Sequence, residues 1–354
     1  MTLENRIVAF DKLGRFLAQF SDKTFHKNES PDDANTYFEA FSMQIKRQYE
    51  FNSWFTLEQI IYACKSWCNT LTSNNLNNWI SNYTLNKNTS KKVAIIMAGN
   101  IPLVGFHDFL SALIAGHKVL VKQSHNDKHL LPILAKYLEF VEPQFKGFIS
   151  FTEEKLENFD AVIATGSNNT ARYFEYYFGK YPHIIRKNRN SVAVLNGDES
   201  EEELQLLGED IFRYFGLGCR SVSKLFVPKN YDFDALFKAI YPYKDLINYK
   251  KYQNNYDYNK AVCLMSEFKL LENGFLMLKE DPSYASPIAT LFYEYYDDFD
   301  SLKTQLALDA DKIQCVVTAD AKQIEKAVAF GQTQQPQLWD YADGVDTLAF
   351  LQEL

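Results

Sequence analysis

The alternation of hydrophobic and polar positions changes character as the chain proceeds. Over roughly the first 90 residues apolar side chains recur at helical spacing. Ile7, Val8, Phe10, Leu13, Phe16, Leu17 and Phe20 make one stripe; Phe38, Phe41 and Ile45, then Phe55, Ile60, Ile61, Cys64 and Cys68, make others. These predict amphipathic helices. Asn74 to Ser90, rich in Asn, Ser and Thr, reads as a loop or a short exposed hairpin. At Lys92 the pattern switches to short continuous apolar runs, the mark of strands buried on both faces of a parallel sheet. Val93–Ala98, Val119–Lys122, Phe148–Phe151, Asp160–Ala164, Ile184–Ile185 and Val192–Leu195 are such runs, with helices expected over Leu103–Ala115 and Asn168–Phe178. The same alternation resumes after an acidic helix at 199–214. Strands are expected at Leu225–Val227, Phe275–Leu278, Ala289–Tyr293 and Ile313–Val317. Helices are expected at Phe233–Ile240, Asp300–Leu308 and Ala321–Phe330, and Tyr249–Asn259 reads as helix and loop. A chain of 354 residues built this way predicts two doubly wound α/β domains behind a helical N-terminal segment.

Composition narrows the function classes. A net charge of −8 argues against a nucleic-acid backbone as the main partner. Five cysteines, an odd number spread over a long chain, suggest reduced thiols in a cytoplasm-like compartment. No apolar run is long enough to span a bilayer, and the start MTLENRIVAF lacks a signal-peptide profile, so a cytoplasmic location is expected. The aromatic content of 15% suits a large core, although a greasy substrate tunnel would use the same residues. No metal site is expected: Cys64 and Cys68, or His125 and His129 on a helical face at i and i+4, lack further ligands.

Candidate chemistry centres on residues 211–228, IFRYFGLGCRSVSKLFVP. A helical run through Phe215 breaks at Gly216-Leu217-Gly218, presents Cys219 and resumes as a strand ended by Pro228. Gly216 and Gly218, just ahead of the cysteine, let the backbone approach a ligand closely. Arg220 and Lys224 would favour the thiolate, the nucleophilic form of cysteine. A small buried cysteine is the plainer alternative. Two strand ends in the first α/β region add to this. Thr165-Gly166-Ser167 opens a helix whose first N–H groups could hold a pyrophosphate, although G-x-G-x-x-G is absent and a plain helix start would look the same. Lys122, with Ser124 after it, could hold a ribose or phosphate, or could be a solvated strand-end lysine.

Taken in order, these segments resemble the aldehyde dehydrogenase superfamily, and within it the acyl-CoA reductase branch known from the fatty acid reductase component of bacterial luminescence. The resemblance runs from about Val93 to the C-terminus. Ala98-Gly99-Asn100-Ile101-Pro102 matches the superfamily's strand-end Asn-x-Pro, whose Asn donates to an oxyanion. Lys122-Gln123-Ser124 matches its adenosine-ribose lysine segment, and Thr165-Gly166-Ser167 its cofactor-phosphate turn. Gly216-Leu217-Gly218-Cys219, followed by Ser223-Lys224, matches its nucleophile segment. Two departures stand out. Arg186 occupies the place of the Glu that activates water in ordinary members, and the E-x-F-G-P segment survives only as Tyr284-Ala285-Ser286-Pro287.

The resemblance implies an NAD(P)-binding domain over residues 1–195 that includes the helical segment, a catalytic cysteine domain over 196–335 and a docking tail over 336–354. It implies reduction of an acyl-CoA thioester to aldehyde through an acyl-Cys219 intermediate, with Asn100 as oxyanion donor. Lys122, Ser124, Thr165, Gly166 and Ser167 would bind the cofactor. NADP(H) is favoured over NAD(H), because His125 stands where NAD-preferring relatives place a Glu that would repel a 2′-phosphate. A short-chain CoA-acylating aldehyde dehydrogenase, or a non-catalytic dinucleotide-binding subunit, are the alternatives. The implied partners are an acyl-CoA or other activated acyl group, with room for an acyl-activating ligase, an acyl carrier protein or a second copy of the chain.

Overall fold

The computed structural model describes residues 1–27, 32–85, 89–319, 324 and 327–354. The chain divides into two compact units, Met1–Lys187 with Gln337–Leu354, and Asn188–Pro336.

The first unit begins with four helices: α1 (Leu3–Ala18), α2 (Asp32–Phe51), α3 (Leu57–Thr70) and α4 (Ser73–Ile80). Threonines start three of them. Thr2, Thr56 and Thr72 each accept a backbone N–H three residues on, satisfying one of the orphan donors of a helix start. Helix α4 corrects the loop expected from Asn74 onward. Leu76, Trp79 and Ile80 lie on its buried face, a stripe too short to stand out among asparagines. Residues 86–88 of that same expected loop lie outside the described residues.

A parallel sheet follows, with β1 (Lys92–Ile96), α5 (Phe106–Ala115), β2 (Lys118–Lys122), α6 (Leu130–Val141), β3 (Ile149–Phe151), β4 (Ala161–Thr165), α7 (Asn168–Phe178) and β5 (His183–Arg186). Its order is β3-β2-β1-β4-β5. The central strands carry almost only buried side chains, as parallel strands covered on both faces should. The order reverses direction between β1 and β4, and ligands of such sheets bind beyond the strands' carboxyl ends at that switch. Two expectations change here. Helix α5 starts at Phe106 rather than Leu103, because Leu103 has φ 58°, outside the helical range. His125 and His129 share no helical face, since α6 begins only at Leu130.

The second unit holds β6 (Asn190–Val194), α8 (Glu201–Phe212), β7 (Val222–Pro228), α9 (Phe233–Ala239), α10 (Lys250–Met265), β8 (Leu270–Glu272), β9 (Met277–Glu280), β10 (Thr290–Tyr296), α11 (Phe299–Leu308), β11 (Ile313–Val317) and β12 (Ala327–Val328). Its sheet runs β12-β11-β6-β7-β10-β9-β8, parallel except for β8 against β9. The helix expected over Ala321–Phe330 falls partly at 321–323 and 325–326, outside the described residues; Ala327 and Val328 form strand β12. The boundary also differs from the expected 195. Strand β6 pairs with β7 and β11, so it belongs to the second sheet and the first unit ends at Lys187.

The chain then returns to the first unit, where α12 (Thr347–Gln352) packs against α5. Leu348 and Leu351 are fully buried in the same core as α1, β1 and β2. Residues 337–354 therefore complete the first unit's core and are not a separate tail.

Candidate functional site

In the first unit the candidate residues gather at one edge of the sheet. Register puts Ile96 beside both Lys122 and Ala164, so the segments that follow these positions leave from the same carboxyl edge. Asn100 lies in the exposed turn after β1, Ser124 just beyond β2, and Thr165-Gly166-Ser167 at the end of β4. Gly99 packs against Ser124: a Cβ added there would sit 2.7 Å from the Ser124 Oγ. No larger residue fits, and the close approach holds the Asn100 turn against the Lys122–Ser124 segment.

A buried carboxylate underlies both segments. Asp127 Oδ2 accepts the Leu103 N–H at 2.7 Å, while the Asp127 N–H donates to the Ser124 carbonyl at 3.1 Å. Burial pushes the Asp127 pKa up to about 7, and the single N–H bond only partly offsets it. Sequence reasoning missed this residue. An aspartate in a polar stretch after a strand carries no sign that it will be enclosed.

Ser167 caps α7, accepting the Thr170 N–H at 3.3 Å. The Gly166 N–H donates to the Arg186 carbonyl at 3.3 Å, so it belongs to the sheet, and the first N–H groups of α7 follow it. Beside β2 and β3 lies a cavity of about 280 Å³ lined by Lys122, His125, Lys128, Phe151, Thr152 and Glu153, among others. Lys122 Nζ donates to the Glu154 carbonyl at 2.8 Å, and Lys128 pairs with Glu153 at 2.9 Å. Two lysines and His125 against one carboxylate suit an anionic group at this edge.

Arg186 is a structural residue of the first unit. Its guanidinium, 5% exposed, pairs with Asp108 of α5 and donates to Thr347 Oγ1 of α12 at 2.9 Å. It ties the end of β5 to both helices.

In the second unit, Cys219 is half-buried on the turn between α8 and β7. The helix stops at Phe212, earlier than the sequence suggested. Arg213 pairs with Glu209 at 2.6 Å, and Tyr214 and Phe215 take left-handed conformations (φ 54° and 57°) ahead of Gly216 at φ 74°. Left-handed backbone is costly for bulky residues, roughly 1–2 kcal/mol each, so packing must hold it. Both rings are buried, and Phe215 stacks on Tyr249 with centroids 4.8 Å apart. Beyond the turn, Ser191 Oγ donates to the Cys219 carbonyl at 3.0 Å and accepts the Cys315 N–H at 3.2 Å. This bridge fixes the cysteine's backbone to β6 and β11.

Two cations were expected to serve the thiol. Lys224 does not: it is fully buried, with Nζ 2.6 Å from Glu294 and 2.7 Å from the Pro282 carbonyl, and lies over the Phe226 and Tyr284 rings. Side chains alternate along β7, and Lys224 points into the sheet's cover. Arg220 donates through Nη1 to Cys315 Sγ at 3.2 Å, so it stands beside a second thiol. A further aspartate, Asp210, escaped notice on the buried face of α8. It accepts the N–H groups of Gly331 and Thr333 at 2.7 and 3.0 Å and the Thr333 hydroxyl at 2.7 Å, and burial raises its pKa to about 6. It pins the 331–333 loop to the helix that leads into the cysteine turn. Among the described residues no cluster of three or more His, Cys, Asp or Glu could hold a metal ion.

The fold is that of the aldehyde dehydrogenases. Aldehyde dehydrogenase 21 from Physcomitrella patens, solved with the product succinate, superposes with a TM-score of 0.70 at 13% identity, covering 100% of this chain and 84% of that one. An aldehyde dehydrogenase from Bacillus cereus in complex with NAD+ gives 0.61 at 14% identity over 91% of this chain and 73% of its own. An NADP-dependent enzyme from E. coli gives 0.56 at 12% identity over 87% and 73%. No curated protein matches the sequence. The family model of acyl-CoA reductase (LuxC) matches residues 74–236, a span that includes the Asn100, Lys122 and Thr165 segments and the Cys219 turn. Through that span, and on an aldehyde dehydrogenase fold, the chain is similar to the acyl-CoA reductase (LuxC) family.

Proposed function

We propose that the protein reduces an acyl-CoA thioester to an aldehyde through a covalent intermediate on Cys219. The observation that carries this reading is the construction of the Cys219 turn. A structural thiol needs neither three successive left-handed residues nor a serine bridge locking its carbonyl, whereas a nucleophile needs its backbone fixed. The thiolate attacks the thioester carbonyl carbon, a tetrahedral oxyanion forms, and coenzyme A leaves as its thiolate. The Cys219 N–H and the Asn100 side chain are the oxyanion donors in this reading.

A nicotinamide dinucleotide suits the first unit. The sheet has the strand order of dinucleotide-binding folds, a capped helix follows β4, and basic residues line the cavity beside β2. When bound in reduced form, it supplies the hydride that turns the acyl thioester into aldehyde. Lys122 and Ser124 would hold its ribose, and the helix start after Thr165-Gly166-Ser167 would receive its pyrophosphate. His125 and Lys128 would favour a 2′-phosphate, which makes NADPH the preferred form. The reaction takes place in the cytoplasm in this reading.

Brief exposure to radioactive acyl-CoA, followed by denaturation, tests the mechanism. The label should stay with the protein, should be released by hydroxylamine, and should be absent from Cys219→Ser. Equal labelling of that variant would remove Cys219 from the nucleophile's role.

A further inference from the structure

The first unit contains a second, larger cavity at the opposite edge of its sheet. Its volume is about 610 Å³, within the usual range of roughly 300–1,000 Å³ for small-molecule sites. It opens where β1 and β2 begin, whereas the candidate cofactor residues follow their ends. Its wall is mixed: Leu3, Leu85, Ala115 and Phe148 give an apolar part, and Thr2, Glu4, Arg6 and Ser90 a polar part of at least equal extent.

Arg6 is the unusual member. It is 5% exposed, and its Nε is buried without a hydrogen-bond partner among the described residues. No carboxylate among them pairs with the guanidinium; Glu4 lines the same cavity but forms no ion pair with it. An enclosed, unpaired cation is expensive, and such charges are ordinarily matched by an anion. The side chains packed around it do not neutralise it. His117 accepts the Lys91 N–H through Nδ1 and reaches the Leu351 carbonyl through Nε2, which fixes it as the neutral tautomer, and burial lowers its pKa. Lys118 lies over the Phe148 ring. The backbone also makes room for the guanidinium: Gly116, at φ 93°, ends α5, and a Cβ there would fall 2.0 Å from Arg6 Nη1.

We propose that this cavity is a binding site for a small amphipathic carboxylate, whose carboxyl group pairs with Arg6 and whose apolar body lies against Leu3, Leu85 and Phe148. A guanidinium presents parallel donors that match a carboxylate, and the apolar part of the wall gives a short hydrocarbon tail contacts that a free inorganic ion lacks. The site is separate from the chemistry assigned to Cys219, and the proposal stands whether or not that assignment holds.

Calorimetric titration of the full chain with sodium octanoate, 1-octanol and inorganic phosphate tests it. Octanoate should bind, with the alcohol and phosphate each at least roughly tenfold weaker, because one lacks the charge and the other the tail. Arg6→Met should weaken octanoate by roughly tenfold or more. If that variant fails to fold, Ser90→Trp, which narrows the cavity from an exposed position, should weaken octanoate in the same way. Octanol or phosphate binding as tightly as octanoate would overturn the proposal. So would an octanoate affinity unchanged in whichever variant folds.

Discussion

Asp127 holds Leu103 in a left-handed turn, its carboxylate accepting the Leu103 N–H at 2.7 Å where the chain passes from Asn100 towards α5. The bond needs only an acceptor, yet the residue is a titratable acid enclosed by the fold. Its pKa in the native state, about 7, lies above the ordinary carboxylate value. The native state therefore favours the protonated form. That contribution is fully present below the unfolded pKa and is lost as pH rises through the native value. Between pH 5 and pH 8 the protein should lose about 2–3 kcal/mol of stability from this group alone. Asp127→Asn keeps an acceptor and cannot ionise, so its stability should fall less over the same interval. Urea unfolding at both pH values compares them, and parallel losses would assign the pH dependence elsewhere.

Arg186 and Asp108 form a buried pair, and removing one partner strands the other. Arg186→Met should cost about 3–5 kcal/mol. Arg186→Met combined with Asp108→Leu should recover most of that loss, because replacing a buried pair with packed apolar groups is often nearly neutral. Thermal melts of the two variants check this. A double variant as unstable as the single one would mean that Arg186 contributes mainly through Thr347.

The same pairing bears on the reaction. A guanidinium stays protonated and cannot serve as the base that activates water. With reduced cofactor omitted, the acyl-enzyme should persist, and free acid should appear far more slowly than aldehyde does in the complete reaction. Acid release as fast as reductive turnover would point to a working base and to an oxidising or hydrolytic enzyme.

Cofactor preference should respond to His125. His125→Glu places a carboxylate in a cavity that already contains Glu153, so NADPH should lose roughly tenfold or more in kcat/KM relative to NADH. Titration of both cofactors against the unmodified protein and the variant reads this directly. An unchanged ratio would locate the 2′-phosphate away from His125.

Much of this architecture is legible in the sequence where local pattern decides it. Val93–Ile95 and Val119–Val121 are apolar throughout because both faces of their sheet are covered, and the spacing of Asn168–Phe178 gives α7 at its observed limits. What escapes is settled by distant contacts. Strand β6 looks like another strand of the first sheet until its partners β7 and β11 are known. Lys224 follows the cysteine closely and looks like its activator, yet pleat direction turns it towards Glu294. Asp127, Asp210 and Arg6 are charged residues in ordinary positions, and only enclosure by remote segments makes them unusual.

The first unit is made from both ends of the chain. Leu348 and Leu351 fill its core, and the Leu351 carbonyl meets His117, yet residues 188–336 stand between them and Lys187. On the ribosome, the whole second unit is synthesised before α12 emerges, and until then the surface of α5 that it covers stays open. The second unit can thus fold while the first is still incomplete. Order in that intervening stretch also reduces the chain entropy lost when α12 is brought back to α5. A change that unfolds the second unit would accordingly loosen the first through the chain connecting its halves.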